Sequence, residues 1–208
     1  MPLSKATAGR KLVHTREYRF HGYEREDELF DIEGHITDTK PYSFPNSFRG
    51  RVDAGEPIHD MWLRVTLDLD MEIKAIEAVT DNGPYRVCPD ITPNFQKAVG
   101  LKMGPGWRQR LKKELGGVEG CTHLVEMLGH MATAAYQSMW PALARRSKAR
   151  REEALARGED PDAEARKPAL IDSCHAYASD GEVVQQRHGR LPLRRPGSKS
   201  VYTRVCPQ

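Results

Sequence analysis

The sequence predicts an α+β fold in which antiparallel strands come first and helices then pack on one face of the sheet. Apolar and charged residues alternate over residues 12–23 and 29–36, with a charge-rich turn between them. They alternate again over residues 62–68 and 71–80. A period of two residues is the pattern of a half-buried strand, so each pair of segments predicts a β-hairpin.

Helical periodicity follows the second hairpin. Residues 88–99 predict a short helix, residues 107–115 a second one, and residues 121–156 a long one whose apolar side chains recur every three or four positions. Because proline lacks a backbone N–H, Pro141 is expected to kink or break the long helix. The Met- and Ala-rich face of this helix can pack on the sheet or against a second copy in a homodimer. The periodicity does not distinguish the two.

A chain of 208 residues can bury one hydrophobic core, so we predict a single domain over residues 11–185. A disordered terminus is expected at residues 1–10 and a basic tail at residues 186–208. Residues 41–55 are rich in proline and glycine and are predicted to form a loop without regular structure. The parts of the domain are expected to be the N-terminal hairpin and loop (11–55), the core (56–140), a charged helix and linker (141–168) and a segment that docks on the body (169–185).

The distribution of charged and apolar residues argues against a nucleic-acid-binding protein and against a membrane protein. The formal charge is +3, with the basic excess in residues 145–151 and 187–204. The arginines in these stretches lack a surrounding platform of aromatic side chains on which bases stack, so we do not expect nucleic-acid binding. No apolar run approaches the roughly 18 residues of a membrane span, and no apolar leader follows Met1, so a cytoplasmic location is expected.

The four cysteines are widely separated along the chain, at Cys88, Cys121, Cys174 and Cys206. A chain of this size does not depend on disulfides, so the spacing favours metal binding or catalysis in a reducing compartment.

One short motif opens the long helix. In Gly120-Cys121-Thr122-His123-Leu124, a thiol and an imidazole lie two residues apart. They fall in the first helical turn, where unpaired N–H groups favour a thiolate. We interpret this motif as half of a metal site; the alternative is a small buried cysteine beside a histidine at the helix start.

Further ligand types occur at the ends of other elements, where loops can bring them together around one ion. The predicted metal ligands are His59, Cys88, Cys121 and His123. Zinc is the metal that this mixture of sulfur and nitrogen favours, with iron or an iron-sulfur cluster as the alternative. The cysteines can equally be unrelated buried side chains.

Proton transfer and substrate binding require other side chains near the metal. The candidate acid-base residues are Asp60, His14, His35 and Glu126, and the candidate substrate-binding residues are Arg16, Arg64 and Lys40. Glu126 lies one helical turn after His123 and therefore on the same side of the helix. The competing interpretation is a solvated surface, above all for the polar face of the first hairpin, which includes Asp38.

Three motifs carry a resemblance to a known family. Pro57-Ile58-His59-Asp60, Gly120-Cys121-Thr122-His123-Leu124 and Asp172-Ser173-Cys174-His175 resemble a bacterial family of domains of unknown function that is associated with the breakdown of aromatic compounds. The resemblance implies a small aromatic substrate and brings no established catalytic residues.

Residues 56–140 more distantly resemble the iron-sulfur scaffold proteins and their zinc-binding sulfur-acceptor relatives. In that family a cysteine and an aspartate precede a strand pair, a second cysteine follows it, and a third opens the last helix. His59-Asp60, Cys88 and Cys121 take these places here. A histidine in the first position argues for a single metal ion over a cluster.

The expected function is therefore a metal-dependent enzyme acting on a small aromatic molecule, with a lyase that releases formaldehyde by retro-aldol cleavage as the specific hypothesis. An iron-sulfur or sulfur-transfer scaffold is the second hypothesis. A metal-free interaction module is the third.

Overall fold

Two antiparallel sheets form the β-structure of the computed structural model, which describes residues 3–160 and 170–188. The strands are β1 (Thr15–Glu24), β2 (Phe30–Thr39), β3 (Phe44–Asn46), β4 (Gly50–Val52), β5 (His59–Leu67) and β6 (Ile73–Asn82). The main sheet has the order β1-β2-β5-β6, and β3 pairs with β4. Both predicted hairpins are confirmed, and the second hairpin joins the first through the pairing of β2 with β5.

Strict alternation of burial along β2 explains why the main sheet has one core face. Phe30, Ile32, Gly34 and Ile36 are buried, whereas the residues between them are partly exposed. The facing positions of β5, including Met61 and Leu63, are also almost completely buried. The sheet therefore has the apolar inner face and more polar outer face that a period of two predicts.

The helices follow the sheet in the chain. A 3-10 helix spans Cys88–Ala98, α1 spans Trp107–Leu115, α2 spans Thr122–Ala156 and α3 spans Glu182–His188. This arrangement confirms the predicted α+β class. Among the described residues, no helix is both long enough and apolar enough to cross a membrane.

The Met-rich face of α2 packs on the sheet, where the backbone comes very close to the helix. A Cβ atom at Gly34 of β2 would lie 3.2 Å from the sulfur atoms of both Met127 and Met131. At Gly22 of β1, a Cβ atom would lie 2.4 Å from the Cβ of Ser138. Glycine at these two positions lets the long helix lie directly against the first two strands.

One local prediction is wrong, and of the two outcomes expected at Pro141 the structure excludes the break. Residues 41–55 contain the β3–β4 hairpin, because the Asn46 side-chain oxygen accepts the N–H groups of Phe48 and Arg49, each at 2.9 Å, and so closes a tight turn. Pro141 lies inside α2 and does not break it. Met139 and Ala142 are buried on either side of this proline, so packing holds the helix where one backbone hydrogen bond is missing.

The chain divides into two compact units, Met1–Ala149 and Arg150–Gln208. The first contains the main sheet, α1 and most of α2; in the second, Ile171 and Val184 are buried. The single domain over residues 11–185, its inner boundaries and the docking of its last segment stay predictions. The predicted tail lies outside the described residues beyond position 188, as do residues 161–168 of the predicted linker and residue 169 of the docking segment.

Candidate metal centre

The end of the main sheet at which β2 finishes and β5 begins gathers a row of polar side chains. Arg16 of β1 pairs with Asp38 of β2, and Asp38 pairs in turn with His59 of β5. Asp38 has the same parity along β2 as Phe30, so all three side chains belong to the core face. The first turn of α2 adds His123 on this face, at 3.9 Å from Asp38.

Asp38 is the centre of this group. Its side chain is 2 % exposed, and both of its oxygens accept hydrogen bonds from Arg16, each at 2.8 Å. His14 Nε2 lies 2.9 Å from Oδ1, and His59 Nδ1 lies 2.8 Å from Oδ2. Burial by itself would raise the pKa of this carboxyl, but the Arg16 guanidinium lowers it to about 2. Asp38 is therefore ionised at every physiological pH.

The two inner histidines face each other. The ring centroids of His59 and His123 are 3.8 Å apart, and one ligand atom from each, together with one Asp38 oxygen, lie within 4.8 Å of one another. Burial lowers the pKa of both histidines below the usual 6.5. Electrostatic repulsion from His123 lowers the pKa of His59 further, and repulsion from Arg16 lowers that of His123. Both rings are therefore neutral near pH 7, the form in which imidazole binds a metal.

This donor set fits a divalent cation. Two nitrogens and one carboxylate oxygen suit zinc and iron(II). Ligands ~2 Å from a tetrahedral ion are separated from one another by ~3.3 Å, and the distances from Asp38 Oδ2 to His59 (2.8 Å) and His123 (3.9 Å) lie on either side of that value. The Asp38, His59 and His123 group could therefore hold a metal ion.

Further ionisable groups border the three ligand atoms. Glu126 Oε2 lies 3.6 Å from Arg16 Nη1, and its side chain is 50 % exposed. Burial raises the pKa of Tyr18, which follows Arg16 on the same face of β1. The predicted acid-base residues His14 and Glu126 and the predicted substrate-binding residue Arg16 therefore all adjoin this group. Their roles stay predictions.

Neither predicted cysteine belongs to the group of three. Cys121 Sγ lies 3.9 Å from His123 Nδ1, so the thiol adjoins the group through His123. Cys88 packs against Gly83, where an added Cβ would lie 2.7 Å from the Cys88 Cβ. Metal ligation by either cysteine stays a prediction.

His35 and Asp60 form a separate pair on the other face of the sheet. His35 Nε2 lies 2.7 Å from Asp60 Oδ1, and the His35 ring stacks on Trp62 with the centroids 3.6 Å apart. Asp60 directly follows His59 in β5, and consecutive strand residues point to opposite faces. Two of the predicted acid-base residues are thus separated from Asp38 by the sheet.

The other two predicted substrate-binding residues have local partners. Arg64 lies on the same face as Trp62 and binds Glu33 at 2.9 Å and Glu77 at 2.8 Å. Lys40 binds the Tyr42 hydroxyl at 3.1 Å. Neither belongs to the Asp38 group.

Comparison with models of known protein families identifies the family of this chain. A family model described as "Protein of unknown function (DUF2889)" matches residues 14–137, which is more than half of the chain. The chain belongs to the DUF2889 family. The matched DUF2889 segment begins at His14 and includes every residue of the Asp38 group. Comparison with curated proteins and with solved structures gave no significant match.

Membership in DUF2889 agrees with the predicted family of unknown function. The Gly120–Leu124 motif lies inside the matched segment, and Asp172–His175 lies outside it. The association with aromatic catabolism and the likeness of residues 56–140 to iron-sulfur scaffolds stay predictions.

The sequence alone does not reveal the central residue of this candidate metal centre. The sequence predicts a solvated face for Asp38, yet the residue is almost completely buried. A usable signal was present, because Asp38 continues the alternation of Phe30, Ile32 and Ile36 and therefore points to the core. A charged residue at a buried strand position calls for a partner, and here the partners are Arg16 and two histidines.

Proposed function

We propose that this DUF2889 protein is a metal-dependent lyase whose ion, most simply zinc, is held by Asp38, His59 and His123. The observation that carries the proposal is the mutual approach of their ligand atoms within 4.8 Å. Iron(II) is the alternative ion, because two histidines and one carboxylate are also the ligands of many non-haem iron enzymes.

The hydrogen bonds of Asp38 define what ion binding would change and what it would leave in place. Its four hydrogen-bond positions are taken by Arg16 (twice), His14 and His59. Binding an ion requires the contact between His59 and Asp38 to be replaced by bonds to the ion, while Arg16 continues to hold the carboxylate in place. The two neutral imidazoles need not lose protons from a charged form, which favours binding at neutral pH.

The same donors favour an enzyme over a cluster scaffold. Iron-sulfur clusters are held mainly by cysteine thiolates, and the three gathered donors are nitrogen and oxygen. An ion with three protein ligands keeps a position for a substrate or water, which is the arrangement of catalytic sites.

A bound divalent ion would polarise an oxygen atom of the substrate. Two residues of the chain are placed to transfer protons beside it. Glu126 is half exposed and ends 3.6 Å from Arg16, and His14 is 42 % exposed and contacts Asp38. Each reaches both solvent and the border of the site, as a general base or acid requires.

The reaction that we propose is a retro-aldol cleavage of a hydroxymethyl aromatic compound. A base removes the hydroxyl proton of the CH₂OH group, and the carbon-oxygen double bond of formaldehyde forms as the carbon-carbon bond breaks. The electron pair of the broken bond moves to an acceptor conjugated with the ring, and the carbon then takes up a proton. For β-hydroxypropiophenone the products are acetophenone and formaldehyde.

Metal content tests the site. We expect about one zinc or iron per chain in protein purified without a chelating tag, and loss of the ion in His59→Ala and His123→Ala variants. His21→Ala is the matched control, because His21 is an exposed histidine of β1. Equal metal content in all four proteins would remove this site from the proposal.

Activity tests the reaction separately. Incubation with β-hydroxypropiophenone is expected to release acetophenone and formaldehyde in equal amounts, and the His59→Ala variant is expected to release neither. If the parent protein binds its ion through these ligands but releases no formaldehyde, the retro-aldol assignment is wrong and the metal site still stands.

A further inference from the structure

Cys121 occupies a helix position that cysteine does not normally fill. The backbone N–H of Val125 donates to the Cys121 carbonyl at 2.9 Å, and α2 begins at Thr122, so Cys121 is the N-cap residue. Serine, threonine, aspartate and asparagine are preferred there, because their side-chain oxygen accepts a free N–H, which stabilises the helix by ~1 kcal/mol. A thiol is a weak acceptor. Helix stability alone does not account for this residue.

The sulfur instead lies beside an imidazole of the candidate metal centre. Cys121 Sγ is 3.9 Å from Nδ1 of His123, and Nε2 of the same ring is 3.9 Å from Asp38 Oδ2. The two nitrogens of His123 therefore have different neighbours, the thiol for one and the ligand group for the other. Cys121 does not belong to that group.

The backbone that carries this sulfur is closely packed. Cys121 is partly buried and packs against the hydrophobic core. The preceding residue has no room for a side chain, because a Cβ at Gly120 would lie 2.2 Å from the Leu115 carbonyl oxygen and 2.9 Å from a Val125 methyl group. The backbone at Cys121 is thus held between α1 and the first turn of α2.

We infer that Cys121 is a positioning residue: its sulfur accepts a hydrogen bond from Nδ1–H of His123, which leaves Nε2 free for the ion, and the sulfur itself is not a metal ligand. This inference rests on the proposed metal site. A metal-binding histidine almost always donates its second N–H to a neighbouring acceptor, and loss of such a partner typically weakens metal binding 10- to 100-fold.

Cobalt(II) titration of the full-length, chelator-stripped protein tests the inference, because cobalt bound to a thiolate has an intense sulfur-to-metal absorption band in the near ultraviolet. Wild-type protein is expected to bind one cobalt without this band. Cys121→Ala is expected to weaken binding about 10-fold or more, and Cys121→Ser, whose hydroxyl can accept the same hydrogen bond, is expected to stay within a few-fold of wild type. Cys174→Ala is the matched control, because Cys174 is an exposed cysteine.

Each contrary outcome has a distinct meaning. A sulfur-to-cobalt band that disappears in Cys121→Ala would make Cys121 a ligand and overturn the inference while retaining the metal site. Unchanged affinity in folded Cys121→Ala, or a loss of 10-fold or more in folded Cys121→Ser, would also overturn it. Circular dichroism reports whether each variant is folded. If the alanine variant does not fold, the cobalt absorption spectrum of the wild type and the cobalt affinity of the well-capped serine variant provide the test. If wild-type protein binds no cobalt, zinc or iron, the proposed function fails as well.

Discussion

Replacing Asp38 by asparagine removes one negative charge from the centre of the polar group and changes the shape of the side chain very little. Arg16 then has one acceptor oxygen for its two donors. The N–H groups of the new amide face other hydrogen-bond donors, so these contacts become repulsive. Asp38 is 2 % exposed and Arg16 is 32 % exposed. The aspartate loses its solvation almost completely, whereas the arginine still reaches water.

The size of the effect follows from the pKa of Asp38, which is lowered from its usual 3.8 to about 2. At 1.36 kcal/mol for each pKa unit, its surroundings favour the ionised carboxylate over the neutral form by ~2.5 kcal/mol. Breaking a fully buried ion pair costs ~3–5 kcal/mol. Because Arg16 is partly hydrated, we expect Asp38→Asn to lower the free energy of unfolding by ~2–3 kcal/mol at pH 7.

Urea unfolding in the presence of a chelator measures this change, with an unchanged dependence on urea as the sign that the same surface is exposed. Asp27→Asn is the matched control. Arg25 binds Asp27 through the same two-bond geometry, at 2.9 and 2.7 Å, but these side chains are 39 % and 51 % exposed. The control is expected to cost far less than Asp38→Asn, because ion pairs exposed to solvent contribute little to stability.

The reasoning would be refuted if Asp38→Asn cost no more than Asp27→Asn. A double variant adds a second check. In the Arg16→Gln background, Asp38→Asn is expected to cost at least ~1 kcal/mol less than in the parent, because its main partner is already lost. Strict additivity of the two changes would show that the pair is not coupled.

Three further outcomes are expected. Burial lowers the folded-state pKa of His59 and His123 below 6.5, so at acidic pH the unfolded chain binds more protons than the folded chain. The free energy of unfolding of the metal-free protein should therefore decrease as the pH falls below about 6.5. His123→Gln should flatten that slope in a pH series, and an equal slope would contradict the assignment. Gly22→Ala places a Cβ 2.0 Å from Ser138 Oγ and should destabilise the protein by ~1–3 kcal/mol in urea unfolding, with partial recovery in the Ser138→Gly background; a neutral effect would argue against the close packing of α2. Zinc at 100 times its dissociation constant should add ~2.7 kcal/mol to the stability of wild type but not of His59→Ala, and equal thermal shifts would show that the ion binds elsewhere.

Local pattern was sufficient for the regular elements of the first unit. Alternation predicted the four strands of the main sheet, and helical spacing predicted the helix over 107–115, which α1 matches. The hairpin within 41–55 was missed because its strands have three residues each and depend on the Asn46 side chain. The sequence does not exclude a break at Pro141, because the packing of its neighbours, which keeps the helix continuous, is not visible in the sequence.

For the candidate centre, the sequence alone marked His59 and His123 as ligands of interest from their places at element ends. It could not give their partner, since Asp38 is separated from His123 by most of the matched domain. It also placed His35 and Asp60 in the same site, although the pleat of the sheet puts them on the face opposite Asp38. Residue type and position in the chain therefore suggested metal binding, but they did not specify which side chains form the site.

The sequence by itself determined the α+β class and the approximate elements, because hydrophobic periods of two and 3.6 residues are properties of short stretches of chain. Only the tertiary structure decided that Asp38 meets Arg16, His59 and His123. Strand register and the docking of α2 set which side chains meet, and a shift of one residue would turn Asp38 to the other face. The packing of the whole core determines both the strand register and the docking of α2, and Gly22 and Gly34 allow the helix to lie close to the strands.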